Sequence, residues 1–273
     1  MDKVLVLGCG FLGKAFKAKG YKTLGKSEFN VKSKEDAVEK LESLDLSDYD
    51  VIINCIAKSN TRWCEDDKNF KEAMFVNGKL PGIISSHCKN LNKKFVHVST
   101  GCMYENETLY NSEEDFLGAR CNYTVTKWIG EKGCDSSRDL IIRPRLFFGD
   151  FNDKNNFLCK LKNFKFFVSD KTDSFTSVND CVLAVEDLLI HDQVGVFNVA
   201  CDGHASVHNV AKHFELYKEE VSMQYIRKRD KLCLVNAKLD ISKLEKFHIA
   251  PLLEIEMSRC WEKLNEEDIS ISK

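Results

Sequence analysis

The sequence has no excess of charge of either sign. Its 273 residues include 40 basic and 42 acidic side chains, which gives a formal net charge of −2. Proteins that bind nucleic acids through the phosphate backbone usually carry a basic face, and a short mixed patch such as Arg227 to Arg229 does not provide one. We therefore expect no nucleic-acid partner.

Features of secreted and membrane proteins are also missing. The 12 cysteines are scattered, with no pair spaced as C-x-x-C, and no signal peptide precedes the first strand. No apolar run approaches the roughly 18 residues that a membrane helix needs. We expect reduced thiols in a cytoplasmic protein, with no metal site and no membrane partner.

A glycine-rich turn follows the first predicted strand. Val4 to Leu7 are continuously apolar, as in a parallel strand buried on both faces. Gly8 to Gly13 then read G-x-G-x-x-G, and a helical stretch follows from Lys14 to Lys19. Such glycines allow a tight turn, and the helix N-terminus offers N–H groups to a pyrophosphate. We therefore expect a dinucleotide to bind at Gly8, Gly10, Phe11, Leu12 and Gly13.

The end of the second predicted strand, Tyr21 to Leu24, bears on the choice of cofactor. Sites for NAD usually carry an acidic residue there, which binds the ribose hydroxyls. This chain has Lys26 and Ser27, which suit a 2′-phosphate better, so we expect NADPH. Glu28 nearby keeps NADH open as an alternative, and a solvated loop charge would explain Lys26 equally well.

Buried strands alternate with helical stretches along the rest of the chain. The further predicted strands are Val51 to Asn54, Phe95 to Val98, Leu140 to Arg143 and Gly195 to Val199. This order predicts an α/β fold with a Rossmann-type doubly wound parallel sheet. We assign residues 1–149 and about 173–200 to an NADP-binding domain, and about 150–172 and 201–273 to a smaller, interleaved C-terminal substrate lobe.

The helices are predicted over residues 34–44, 69–90, a stretch containing 122–127, 175–191, 207–218 and 252–264. A polar loop is expected from Lys58 to Asp67, and Pro81 is expected to kink the helix that contains it. Residues 150–171 have no clear periodicity and are expected to form a loop and a short helix.

Polar residues follow the fourth predicted strand and lie on a helix beyond it. Ser99 and Thr100 come directly after that strand, and Tyr123 and Lys127 are four residues apart, on one helix face. A nearby ammonium would lower the pKa of Tyr123 and make it a better proton donor to a ketone oxygen. The spacing alone is common, and Tyr123 could be an ordinary core residue. The combination of Tyr123 and Lys127 with Thr100 at one edge of the sheet favours a catalytic role for these residues.

The order of these segments resembles that of extended short-chain dehydrogenases/reductases, and within them the dTDP-4-dehydrorhamnose reductase branch, over nearly the whole chain. The segments that carry the resemblance are Gly8 to Gly13, Asn54 to Ala57, Ser99-Thr100, Tyr123 to Lys127 and Arg143 to Arg145. Further short segments are similar to the bifunctional 3,5-epimerase/4-reductases that make UDP-L-rhamnose. They are Trp63 to Glu65, Thr100 to Cys102, Glu113 to Asp115, and Asn156-Phe157 with Lys160.

The resemblance implies NADPH-dependent reduction of a nucleotide-linked 4-keto-6-deoxy sugar at C4. In that reaction Tyr123 would protonate the oxyanion and Thr100 would hydrogen-bond it. Lys127 would hold the nicotinamide ribose, and Asn54 and Ala57 would face the cofactor at the end of the third strand.

The resemblance to the bifunctional enzymes implies a second activity, 3,5-epimerisation. Its base and acid would be Cys102 and Lys160, because a thiol can remove a proton next to the ketone and a lysine can return one. The implied substrate contacts are Trp63, Arg145 and Asn156.

Several alternatives stay open. The chain could be a reductase without epimerase activity, or a regulatory subunit that binds NADP without catalysis. A 4,6-dehydratase or 4-epimerase is disfavoured because Gly101 and Cys102 follow Thr100 where a dehydratase needs two carboxylates. The substrate nucleotide, which could be UDP, dTDP or GDP, and formation of a homodimer are also open. Relatives present an arginine to the phosphates of the sugar nucleotide from positions that correspond to residues 232–240. This chain has no arginine in that range, and Arg227 or Arg229 could replace it.

Overall fold

A computed structural model describes residues 3–107, 109–115, 117–118, 120–230 and 236–271. Its strands are β1 (Val4–Leu7), β2 (Lys22–Leu24), β3 (Val51–Asn54), β4 (Lys94–Val98), β5 (Tyr110–Asn111), β6 (Leu140–Pro144), β7 (Phe147–Phe148), β8 (Phe166–Val168), β9 (Thr176–Ser177), β10 (Gly195–Val199), β11 (Glu219–Val221) and β12 (Lys238–Leu239). Its α-helices are α1 (Phe11–Ala18), α2 (Lys34–Ser43), α3 (Thr61–Cys64), α4 (Asp67–Ala73), α5 (Leu80–Asn90), α6 (Asn122–Lys132), α7 (Phe157–Leu161), α8 (Val178–Ile190), α9 (Val207–His213), α10 (Met223–Asp230) and α11 (Leu253–Ile271). A π-helical segment spans Met74–Lys79, and 3₁₀ turns span Gly101–Met103 and Leu244–Lys246.

Six parallel strands form the central sheet, in the order β10-β6-β4-β3-β1-β2. The chain moves outward from β1 to β2 and then returns to the other side of β1 with β3. The direction of winding therefore reverses between β1 and β3, and in such sheets ligands bind outside the carboxyl ends of the strands at that point. The predicted α/β fold with a Rossmann-type doubly wound parallel sheet is confirmed.

Helices cover both faces of this sheet. Val6 packs with α1 and α8 on one face, and Leu5, its neighbour in β1, packs with α2 and α5 on the other. Both faces are buried, so the central strands are continuously apolar rather than alternating. A separate cluster joins α7, α9 and α11 around residues such as Leu158 and Met257. Every helix among the described residues is too short or too polar to span a lipid bilayer.

Several predicted boundaries differ from the structure. Helix α1 begins at Phe11 rather than Lys14, because Gly10 is already its N-cap. The expected polar loop at 58–67 contains α3, where the Asn60 side chain accepts a hydrogen bond from Trp63 N at 3.0 Å. The helix expected over 69–90 is interrupted by the π-helical segment, which leaves Pro81 in the first turn of α5, where a missing N–H costs little. Residues 150–171 contain β8 in addition to the expected short helix.

Helix α6 packs backbone to backbone on the π-helical segment. A Cβ added at Gly130 would lie 1.9 Å from the carbonyl oxygen of Asn77. The Asn77 side chain reinforces the contact, since its Nδ2 donates to Thr126 Oγ1 at 3.1 Å and its Oδ1 accepts from Lys58 N at 2.8 Å. The position of α6, and of every side chain it carries, therefore depends on glycine at residue 130.

Replacing Gly130 with alanine tests this packing. Alanine normally stabilises a helix interior by about 1 kcal/mol relative to glycine. Here the added methyl group would collide with a carbonyl oxygen, so we expect Gly130→Ala to lower the free energy of unfolding by about 1–3 kcal/mol, measured by urea titration. Lys132→Ala, at an exposed position of the same helix, is the control and should change stability little. A Gly130→Ala protein as stable as the parent would contradict the close packing.

Candidate active site

Tyr123 and Thr100, predicted from separate segments, lie together at the carboxyl edge of the sheet. Tyr123 is buried in the first turn of α6, and its hydroxyl lies near the side chain of Thr100. Thr100 follows β4, and its Oγ1 accepts from Cys102 N at 3.2 Å, which begins the 3₁₀ turn. Two of the predicted catalytic side chains can thus reach one ligand oxygen.

The expected lowering of the pKa of Tyr123 is wrong. Burial raises the pKa of the phenol, and the nearby Cys102 adds to this rise, while the neighbouring hydroxyl of Thr100 and the charge of Arg145 oppose it. Desolvation therefore outweighs the positive charges around the ring. Tyr123 keeps its proton at neutral pH.

Lys127 lies one turn further along α6 and is buried. Its Nζ donates a 2.6 Å hydrogen bond to the carbonyl oxygen of Val98, the last residue of β4. Burial lowers the pKa of Lys127 to about 8, and the carboxylate of Glu131 opposes the fall. The lysine is thus held against the strand that carries Thr100.

Glu131 is a site residue that the sequence reasoning missed. It accepts from Arg143 Nε at 3.1 Å and Nη2 at 2.5 Å, and from Ser99 Oγ at 2.6 Å. Its position offered a signal, since it is four residues beyond Lys127 and eight beyond Tyr123, on the same helix face. An acidic residue on a face that must be buried predicts a basic partner.

Cys102 contacts an arginine that is fixed by an acidic partner. Arg145 Nη1 lies 2.6 Å from Cys102 Sγ, its Nε donates to Asp173 Oδ1 at 2.7 Å, and its Nη2 also pairs with Asp173. Burial raises the pKa of Asp173, and the guanidinium opposes the rise. Arg145, predicted as a substrate contact, thus binds Asp173 and points at Cys102. Asp173 was not predicted.

Two of the predicted site residues lie on or next to α7, Lys160 within the helix and Asn156 at its N-cap. Lys160 lines a surface cleft whose described residues are Asn152, Asp153, Lys154, Cys159, Lys160 and Asn163. Burial lowers the pKa of Lys160, and Asp153 opposes the fall. Its predicted role as the acid of the epimerisation stays a prediction.

Asn156 has a structural role in this fold. Its Oδ1 accepts from Gly149 N at 3.3 Å and Leu158 N at 3.1 Å, and its Nδ2 donates to Gly149 O at 2.8 Å and Phe151 O at 3.0 Å. These four bonds use the full capacity of an amide. The side chain is therefore occupied by the backbone around it, and the predicted contact with substrate finds no support.

Trp63 lies beside two of the predicted catalytic residues. It packs in one apolar cluster with Tyr123, Cys102 and Cys121. Its ring also lies 4.9 Å from Lys58 Nζ, which covers it as a cation–π contact. The predicted substrate contact at Trp63 is compatible with this position.

The glycine-rich turn has the geometry of a ligand cradle. Gly8 has a positive φ of 104°, and a Cβ at Gly13 would lie 1.9 Å from Gly8 O, so the turn itself requires both glycines. A Cβ at Gly10 would meet nothing within 4 Å. The side chains of Phe11 and Leu12 are buried, so these residues would contact a ligand through their backbone N–H groups. Those groups lie in the first turn of α1, where N–H groups have no partner within the helix.

The other predicted cofactor contacts lie at strand ends. Lys26 and Ser27 are exposed after β2, whereas Glu28 turns back and accepts from Gly25 N at 2.9 Å. Ala57 is exposed beyond β3.

Asn54 is buried at the end of β3. Its Oδ1 accepts from Ile56 N at 3.1 Å, and its Nδ2 lies 3.3 Å from His97 Nδ1. The side chain of Arg229, considered above as a replacement for a phosphate-binding arginine, lies outside the described residues, as do residues 231–235.

Solved structures share this fold over nearly their whole length. A dTDP-4-dehydrorhamnose reductase from Clostridium acetobutylicum superposes with a TM-score of 0.81 at 17% identity, covering 95% of this chain and 98% of that one. The Bacillus anthracis dTDP-4-dehydrorhamnose reductase in complex with NADP gives 0.81 at 18%, covering 96% and 100%. The L780 UDP-rhamnose synthase of Acanthamoeba polyphaga mimivirus gives 0.80 at 16%, covering 97% and 100%. At these identities the likeness establishes the fold alone.

Sequence similarity points the same way. The probable low-salt glycan biosynthesis reductase Agl14 of Haloferax volcanii is 32% identical over 124 residues, which are 44% of this chain and 41% of that protein. The match thus spans about two fifths of the length of this relative. The family model described as the RmlD substrate binding domain matches residues 3–228. Since that match covers most of the sequence, the chain belongs to the RmlD substrate binding domain family.

Proposed function

We propose that the chain is an NADPH-dependent reductase of nucleotide-linked 4-keto-6-deoxy sugars, acting at C4. One observation carries the proposal, namely that Tyr123 and Thr100 lie together at the carboxyl edge of the sheet, with Lys127 one turn along α6. Membership of the family and the names of the relatives, dTDP-4-dehydrorhamnose reductases among them, support the substrate class.

The geometry suits proton donation to a ketone. A carbonyl oxygen between Thr100 and Tyr123 would accept from both hydroxyls. Bound NADPH would supply the hydride to C4. Burial raises the pKa of Tyr123, which makes the phenol a weaker acid but leaves it protonated at neutral pH, so that it can give its proton to the strongly basic oxyanion. Below a pH of about 8 the Lys127 ammonium adds positive charge beneath it.

The residues around the glycine-rich turn fit NADPH. The open space at Gly10 and the unpaired N–H groups at the start of α1 suit a pyrophosphate. Lys26 and Ser27 offer a charge and a hydroxyl to a 2′-phosphate, while Glu28, the acid nearest the expected ribose position, is bound to Gly25 N. A relative solved with NADP supports this choice, and NADH is the alternative to be measured beside it.

Gly10→Ala separates ligand binding from folding. Nothing in the protein touches a Cβ at this position, so we expect an unchanged melting temperature. A bound pyrophosphate would meet the methyl group, and a clash of about 1.4 kcal/mol or more raises Kd for NADPH about tenfold or more, measured by fluorescence titration. Gly13→Ala is the opposite case and should lose stability. A Gly10→Ala protein that binds NADPH normally would remove the turn from the cofactor site.

Turnover tests the reductase directly. The protein mixed with NADPH and UDP- or dTDP-4-keto-6-deoxyglucose should oxidise the cofactor, followed by absorbance. We expect Tyr123→Phe to lower kcat by about 10²–10⁴, since a proton donor is lost. Tyr217→Phe, at a tyrosine that is 75% exposed, is the control and should leave the rate unchanged. Folded protein that turns over neither of these sugars, nor the same 4-keto sugars already epimerised at C3 and C5, would overturn the proposal.

A 3,5-epimerase activity is the separable second part of the proposal, with Cys102 as base and Lys160 as acid. It is supported by the contact between Cys102 Sγ and Arg145 Nη1, which places a fixed positive charge where a thiolate would form. The thiolate would take a proton from the carbon next to the ketone. Lys160 would return one from the other face.

Hydrogen exchange tests the epimerase without the reductase. In D₂O and without NADPH, the 4-keto sugar should gain deuterium at C3 and C5, detected by mass spectrometry and NMR. Cys102→Ala should abolish this exchange and still allow reduction of a sugar that is already epimerised. Cys134→Ala serves as the matched control. Exchange that persists in Cys102→Ala would exclude Cys102 as the base.

A further inference from the structure

Residues 240–251, which we call the strap, lie along β10, the terminal strand of the central sheet. Lys243 Nζ donates to the carbonyl oxygen of Val196 in β10 at 2.6 Å. The ring of Phe247 packs edge to face on that of Phe197, also in β10, with the ring centroids 6.1 Å apart. A terminal strand has unpaired backbone groups along one side, so the attachment of the strap decides how well that side is covered.

One histidine of the strap is bonded to helix α8. His248 is buried, its Nδ1 lies 2.8 Å from Asp187 Oδ2, and its Nε2 lies 3.0 Å from Asp180 Oδ1. The two aspartates are two helical turns apart in α8, so they share one face of the helix. Both ring nitrogens of a single imidazole thus face carboxylates of another element.

This arrangement fixes the number of protons on the ring. A neutral imidazole has one N–H, so it can donate to one carboxylate only, and the lone pair of its other nitrogen would face an oxygen of the second. Two hydrogen bonds to carboxylates need two protons, so the ring is held as an imidazolium. Burial lowers the pKa of His248, but the hydrogen bonds with Asp180 and Asp187 outweigh burial and raise the pKa above its ordinary value.

The carboxylates around the ring need this proton. Burial raises the pKa of Asp180, and the contact with the histidine opposes the rise. Glu256 of α11 and Asp187 add to the rise, although Glu256 is itself paired with Arg259. In the described part of the chain Asp180 Oδ2 is buried without a hydrogen-bond partner. The imidazolium is therefore the group that compensates the buried charge of Asp180.

Two other titratable groups of α8 and its C-cap lie close by, and neither takes over this task. Burial raises the pKa of the Cys181 thiol well above its ordinary value, so the thiol stays neutral. Nδ1 of His191 lies 2.8 Å from the carbonyl oxygen of Asp187 and not against its carboxylate. The charge that joins the strap to α8 thus resides on one ring.

We propose that His248 is a pH-sensitive latch, which fastens the strap to α8 while its ring carries two protons and releases the strap when one is lost. After that loss, one ring nitrogen presents a lone pair to a carboxylate, and a buried charge is left uncompensated. Release would uncover the side of β10. The latch does not depend on the proposed reaction.

Stability then follows pH in a defined direction. The folded protein binds this proton more tightly than the unfolded chain, because the pKa of His248 is raised by folding. The contribution of the latch to stability is therefore complete below the ordinary histidine pKa of about 6.5, and it is lost as the pH rises through the raised pKa.

NMR of the full chain labelled with ¹⁵N-histidine tests the protonation state. At pH 6.5 we expect protons on both ring nitrogens of His248, whose signals are assigned by their absence in His248→Gln. The ring should lose its second proton at a higher pH than His204 does, because burial and Lys238 lower the pKa of His204. Asp187→Asn removes one carboxylate at a position that is 40% exposed, and it should shift the loss to lower pH. Loss at the same pH as His204, or below it, would overturn the latch.

Urea titrations at pH 6 and pH 9 test whether the proton stabilises the fold. Loss of a charged hydrogen bond should raise the equilibrium constant of unfolding about tenfold more in the parent than in His248→Gln over this range. His204→Gln is the matched control, because the exposed His204 ring contacts the Tyr110 hydroxyl at 2.7 Å and no carboxylate. It should keep the pH dependence of the parent. The same pH dependence in His248→Gln and the parent would contradict the proposal.

Hydrogen exchange shows whether the strap is the part that opens. After correction for the intrinsic rate, amides of residues 240–251 should exchange severalfold faster at pH 8.5 than at pH 6.5. Amides of β3, in the middle of the sheet, should show no such change. If His248 loses its proton while the protection of the strap stays constant, the histidine is not a latch.

Discussion

The buried ion pair between Glu131 and Arg143 holds the candidate site together. Two charges removed from water are costly unless each is paired and its remaining hydrogen-bonding capacity is used. Glu131 meets this condition through two guanidinium nitrogens and Ser99 Oγ, and Arg143 through Glu131 and the hydroxyl of Tyr104 at 2.8 Å. The pair joins α6, β6 and the end of β4. Thr100 and Tyr123 stand on two of these three elements, so their mutual position follows from this interaction.

The same network reaches beyond the sheet. The Tyr104 hydroxyl donates to Asn198 Oδ1 at 2.7 Å, and Asn198 Nδ2 donates to the carbonyl oxygens of Asn111 at 2.8 Å and Asp240 at 3.0 Å. One polar chain thus links β10 to segments that lie outside the central sheet. Because a buried polar group left without a partner costs free energy, these segments and the edge of the sheet that carries Thr100 are stabilised together. Substitutions in the segments around Asn111 and Asp240 are therefore expected to alter the positions of the residues at the candidate site.

The sequence predicted the parts of this arrangement that depend on local patterns. The apolar runs gave the bounds of β1, β3 and β10 as the structure has them, because parallel strands buried on both faces are continuously apolar. The spacing of Tyr123 and Lys127 on a helix, and Thr100 at a strand end, led to the residues that the structure brings together. Partners distant in the chain, such as Glu131 for Arg143 or Asp173 for Arg145, leave no local pattern and were missed. The pKa of Tyr123 was mispredicted for a related reason. The sequence shows that a lysine lies one helical turn away, but it does not show how deeply the phenol is buried.

The charged groups around Lys127 are buried, and each carries a defined partner, as a medium of low dielectric constant requires. Glu131 and Arg143 pair with each other, and Lys127 donates to a carbonyl oxygen of β4. The charges and dipoles around Tyr123 are therefore held in fixed positions by the fold. Fixed dipoles and charges of this kind stabilise the charge that develops when a proton moves, because they need no rearrangement during the reaction.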